Sequence, residues 1–107
     1  MKERRKVYRK PLHYFTHVYD RKTRQLIGYL VDVSLQGGLL VTEKEIPLET
    51  LIYLQIDLPE AFEKVNLDIT SRVVWCETDP DSDLYKTGVE WVSLDPEVQD
   101  LISQMIS

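Results

Sequence analysis

Apolar and polar side chains alternate along most of this chain, the period of a strand with one buried face. The clearest run is LIYLQIDL at 51–58. Ile52, Leu54, Ile56 and Leu58 share one face, and Tyr53, Gln55 and Asp57 the other. Pro59 ends it, because proline has no N–H to give a strand ladder. The same pattern predicts strands at 12–19, which is aromatic and β-branched, and at 26–33, 39–42, 65–76 and 85–92. Within 65–76, Val73, Val74 and Trp75 are consecutive apolar residues and are expected to be buried together. Polar residues 20–25 fit a hairpin turn. Gly37 and Gly38 punctuate the chain before the third strand, Pro47 lies in a loop, and DPDSD at 79–83 reads as a solvated loop.

The period becomes helical only after residue 94. Asp95 can act as N-cap, with Pro96 at the first helical position and Glu97 in the first turn. Val98, Leu101, Ile102, Met105 and Ile106 then form one apolar face. Two readings of that face are open: it packs on the strands, or it meets a partner. Six short strands with no interleaved helix predict an all-β fold, a small six-stranded antiparallel barrel with one C-terminal α-helix.

A length of 107 residues with 43% apolar content fits one domain with a single core. The one cysteine, Cys76, excludes an internal disulfide framework and a multi-cysteine zinc site. Beside Trp75 in an apolar strand, it reads as an inert core thiol. No apolar run approaches the roughly 18 residues of a membrane span. MKERRKVYRK at the start has no apolar stretch behind it and does not read as a secretory signal. The expectation is a soluble cytoplasmic domain with no membrane span.

Charge divides the chain. Residues 1–24 hold nine Lys and Arg against two acids, a net of +7; residues 25–107 hold four against sixteen, a net of -12. The overall net of -5 argues against a general binder of nucleic-acid polymers. A basic arm on an acidic body suits a compact polyanion, or an arm that folds back onto the body; charge alone leaves both open.

Two motifs bear on that choice. Arg5 and Arg9 form an R-x-x-x-R pair, and Asp32, Ser34 and Gly37 form a D-x-S-x-x-G segment. Taken singly, the arginines fit a solvated tail, Asp32 and Ser34 a turn cap, and Gly37-Gly38 a bulge. Together, in this order on a strand pattern, they resemble the PilZ domain family, which carries R-x-x-x-R near its start and (D/N)-x-S-x-x-G after its second strand. The likeness covers nearly the whole chain. Val73-Val74-Trp75, Gly88 to Trp91 and Leu94 to Glu97 also resemble later elements of that family.

The resemblance implies a PilZ-type barrel (residues 11–107) behind a basic ligand-binding arm (residues 1–10). It implies a bacterial receptor for cyclic di-GMP, with no enzymatic activity and no cofactor. The residue types agree with such a ligand. An arginine fork grips a phosphate or the O6/N7 edge of guanine, and its flat face stacks on a purine; Arg5 and Arg9 are carried over for this. Asp32 is carried over to accept from guanine's N–H donors, and Ser34 to bond a phosphate or base edge or to brace the turn. Gly37 is expected to supply a positive φ and a close ligand approach, with Gly38 adding to it. In the family, a basic residue just before the first motif goes with an intercalated pair of ligand molecules, and Arg4 stands there.

The implied mechanism is ordering of the arm by the ligand, reported to an unidentified protein partner. Two alternatives belong to other classes: a PilZ-like interaction adaptor with weak or no nucleotide binding, and a single-strand nucleic-acid binder, which the arm favours and the acidic body opposes. Other residues carry less. His13 and His17 are four apart, about 13 Å along a strand, which is too far for a shared metal. Trp75 and Trp91 read as core, although either could flank a guanine.

Overall fold

In β4 (Leu51–Asp57) the alternation read from the sequence becomes an inside and an outside: Ile52, Leu54 and Ile56 are buried, Tyr53 and Gln55 half-buried. The computed structural model describes residues 10–58 and 66–106, and the side chains within these from residue 16 onward. Among them are six strands and a helix: β1 (Lys10–Asp20), β2 (Leu26–Val33), β3 (Gly37–Thr42), β4, β5 (Asn66–Thr78), β6 (Tyr85–Trp91) and α1 (Pro96–Ile106). The strands close an antiparallel barrel in the order β1-β2-β3-β6-β5-β4. This is the expected fold. β1 starts two residues earlier than expected, and β3 takes in both glycines.

Alternate residues of every strand meet in one core that includes Val18, Leu30, Leu40, Leu54, Ile56 and Val73. Buried hydroxyls interrupt it, those of Thr42, Ser71 and Thr87 among them. Thr42 and Thr87 share a hydrogen bond of 2.9 Å, and Ser71 Oγ donates to the Ile52 carbonyl oxygen at 3.3 Å. Leu101, Ile102 and Met105 of α1 join the same core, so the helix packs its apolar face on the strands. Asp95 caps the helix as expected, its Oδ1 accepting from Val98 N–H at 3.0 Å. The 20–25 turn is built on Asp20, whose carboxylate accepts from the N–H groups of Lys22 and Thr23. No helix of the described residues is long and apolar enough to cross a membrane.

β5 departs from the expectation. Val73 is fully buried, but Val74 is 39% exposed and Trp75 only half-buried. A bulge lies between Val73 and Trp75: Val73 pairs with Val89 and Trp75 with Gly88, leaving Val74 as the extra residue. The extra residue turns Trp75 out of the barrel, so only Trp91 of the two tryptophans is core. Cys76 is half-buried, with Sγ 3.2 Å from Thr87 Oγ1.

Candidate ligand-binding site

β2 and β3 last pair at Val33 and Gly38, and residues 34–37 turn between them. Ser34 is the brace of that turn. Its N–H donates to the Gly37 carbonyl oxygen at 2.8 Å. Its Oγ accepts from Gln36 N–H at 3.1 Å and from Gly37 N–H at 3.2 Å, and donates to the Gly37 carbonyl oxygen at 3.3 Å. The residue is 2% exposed, so this serine folds the turn from within.

The glycines work differently from the expectation. None of the chain's four glycines has a positive φ. Gly37 is required because β6 passes too close: a Cβ there would strike the Val89 carbonyl oxygen and stand 2.9 Å from Glu90 Cα. A Cβ on Gly38 would stand 2.9 Å from Leu30 Cδ1 and 3.3 Å from the ring of Trp91. Both positions are about strand packing rather than a left-handed backbone.

Asp32 lies on the outside of the barrel. Its neighbour Val33 is buried, and a bulge between Leu30 and Asp32 resets the register so that Asp32 faces Leu39 of β3 and Pro11 of β1. Asp32 is half-buried, and its Oδ1 oxygen is shielded from water. The same transverse row continues from Leu39 to Gly88 and Trp75. The Trp75 indole lies over Gly88, where any Cβ would collide with indole Nε1. A carboxylate at one end and a flat indole at the other thus line one strip of outer surface.

The next row runs from Gly37 through Glu90 and Arg72 to Leu51. Arg72 Nε and Nη2 donate to Glu90 Oε1 at 2.9 and 2.7 Å, and Glu49 stands 3.8 Å away. The hydrogen bond to Glu90 and its charge raise the Arg72 pKa above its ordinary value. Arg72 is therefore already engaged by a carboxylate.

Asp32, Ser34, Gly37 and Gly38 come together at one edge of the barrel. Arg4, Arg5 and Arg9 lie outside the described residues. The chain that follows them is fixed: Lys10 pairs with Val33 and Pro11 with Asp32, so β1 begins beside the second motif. The Arg72–Glu90 pair and the Trp91 contact with the turn were not read from the sequence, since a cross-strand partner depends on register. The Gly88 to Trp91 segment was the only sign of them. His17 is exposed and packs against the rings of Tyr19 and Tyr29, with centroids 6.2 and 5.0 Å away.

The sequence matches the family model described as PilZ domain over residues 3–107. No curated protein matches it. Among solved structures, the barrel is similar to the PilZ domain with c-di-GMP of YcgR from Escherichia coli. That likeness is 12% identical with a TM-score of 0.72, over 97% of this chain and 89% of that one. It is also similar to the Bacillus subtilis inhibitor of motility MotI/DgrA, at 19% identity and TM-score 0.73 over 96% of this chain and 49% of that one. The K. pneumonia MrkH–c-di-GMP complex is similar at 19% identity and TM-score 0.74, over 96% and 51%. This chain spans about half the length of the latter two. At such identities the likeness is one of fold.

Proposed function

Since this chain belongs to the PilZ domain family, we propose that it is a cytoplasmic bacterial receptor for cyclic di-GMP, acting as an adaptor toward a protein partner. The observation that carries the reading is the register at the start of β1. Lys10–Val33 and Pro11–Asp32 pairing brings the chain leaving Arg9 alongside the D-x-S-x-x-G turn. The chain that follows the first motif thus lies at the edge carrying the second, more than twenty residues further along the sequence.

In this reading Arg5 and Arg9 close on the ligand's phosphates and guanine edges, as planar forks do. Asp32 accepts from the guanine N–H donors, and Ser34, Gly37 and Gly38 shape the turn that presents it. Trp75, in the same row, offers a flat surface for a base. Arg4 favours an intercalated pair of ligand molecules. The ligand supplies the counter-charge that brings the arm onto the turn, and the surface so created is what a partner reads.

Calorimetric titration with cyclic di-GMP and with a single-stranded oligonucleotide tests this. The expected result is saturable binding of cyclic di-GMP at two molecules per chain, and none of the oligonucleotide. One molecule per chain removes the role of Arg4 and keeps the receptor. No heat with cyclic di-GMP favours the adaptor that does not bind nucleotide.

A further inference from the structure

Trp91 closes β6 with its side chain 8% exposed in the core. Both of its N–H groups nevertheless reach the Ser34–Gly37 turn. Indole Nε1 donates to the Ser34 carbonyl oxygen at 3.0 Å, and the backbone N–H donates to the Gln36 carbonyl oxygen at 2.8 Å. The turn thus has an internal brace in Ser34 Oγ and an anchor in another strand, 57 residues away.

A core aromatic needs no N–H to fill volume; phenylalanine fills a barrel interior as well. An indole in a core brings a donor that must find an acceptor. Here the acceptor belongs to the motif serine, and Gly38 leaves room for the indole ring beneath it. The bond fixes one peptide plane, that between Ser34 and Leu35. No described peptide is cis, and in a trans peptide the N–H points opposite to the C=O. With the Ser34 carbonyl turned to the buried indole, the Leu35 N–H is turned away from the core. Leu35 itself is exposed at the turn's tip.

We propose that Trp91 is a positioning residue for ligand binding: its indole holds the Ser34–Leu35 peptide so that the Leu35 N–H faces outward as a donor to a phosphate oxygen of the bound nucleotide. This rests on the receptor reading above. It adds a backbone donor to the side chains already assigned, and gives the Gly88 to Trp91 segment a part in recognition.

The test uses the full chain and Trp91→Phe, which keeps an aromatic ring and removes the N–H donor together with part of the buried indole's volume. Ile56→Val serves as the stability control, on β4, which pairs with none of β2, β3 and β6. In ligand-free Trp91→Phe the backbone amide resonances of Leu35, Gln36 and Gly37 are expected to shift, and in Ile56→Val they stay. Cyclic di-GMP binding is expected to weaken roughly three- to tenfold in Trp91→Phe, the range of one neutral hydrogen bond, and to be unchanged in Ile56→Val. In the parent, titration moves the Leu35 amide proton downfield. Unmoved turn amides, or parental affinity, in Trp91→Phe overturn the proposal, as does equal weakening in Ile56→Val. A parent that binds no cyclic di-GMP overturns the receptor reading and the ligand role of Leu35; the ligand-free amide shifts then still decide whether Trp91 sets the turn.

Discussion

Ser34 and Asp32 stand two residues apart and do different work. Ser34 Oγ makes three hydrogen bonds inside its own turn, and the residue is buried. Ser34→Ala strips an acceptor from the N–H groups of Gln36 and Gly37, so the loss falls on the fold first. Denaturant melting is expected to show about 1–3 kcal/mol of destabilisation, the penalty for under-satisfied buried groups. Affinity falls only as far as the turn loosens. A Ser34→Ala chain with parental stability and lost binding would place the hydroxyl on the ligand instead. Asp32 faces outward at a bulge, with the turn formed beyond it. Asp32→Ala is expected to weaken cyclic di-GMP binding more than binding of the adenine counterpart, because adenine lacks guanine's N1–H and N2–H₂ donor pair. Parallel titrations with the two nucleotides read the difference; equal losses would reduce Asp32 to support of the turn.

Among the elements, the arm carries the sharpest expectation. Among the described residues the core is assembled from β1–β6 and α1. Arg5→Ala and Arg9→Ala are each expected to lose about 2–5 kcal/mol of ligand binding, as removal of one partner of a desolvated charge pair does, with the melting temperature unchanged. Arg→Lys at either position should also bind more weakly, since an ammonium cannot supply the planar fork. Parental binding in either alanine variant removes that residue from the site. The elements also mark how far the sequence could be read. β4 and α1 were legible because period two and period 3.6 are uninterrupted there, and Asp95 marks the helix start by its own chemistry. Val74 was misread because three successive apolar residues look alike whether continuous or bulged; the bulge is decided by which residue of β6 each one meets. At Gly37 the positive φ read from the sequence is absent, and crowding by β6 is what excludes a side chain. Sequence marks a position that tolerates no side chain, and only the closeness of Val89 tells steric crowding from a left-handed turn. The Arg72–Glu90 pairing itself went unread for the same cause, as it joins residues 18 apart through register.

At the scale of the molecule, two opposed fields meet at the proposed site. The chain as a whole carries a net charge of -5, and residues 25–107 alone carry -12. A ligand with two phosphates is repelled by that body at long range. Residues 1–24, at +7, attract it at short range. Salt separates the two terms by sign. With a Debye length of about 8–10 Å near physiological ionic strength, screening removes the distant repulsion from the body and would by itself tighten binding as salt rises. The proposed pairing of Arg5 and Arg9 with the phosphates would also be weakened by salt, and it would act at contact distance, where the interaction is larger. The net expectation is that affinity for cyclic di-GMP falls between low and physiological salt, more shallowly than for a nucleic-acid polymer, because two phosphates offer few counterions to displace. In Arg5→Ala/Arg9→Ala the sign should reverse or vanish, since only the body's repulsion is left to screen. Calorimetric titrations of parent and double variant across a salt series read both slopes. Parental affinity that rises with salt would mean that the arginines do not touch the phosphates, whatever else holds the nucleotide at the Asp32 edge.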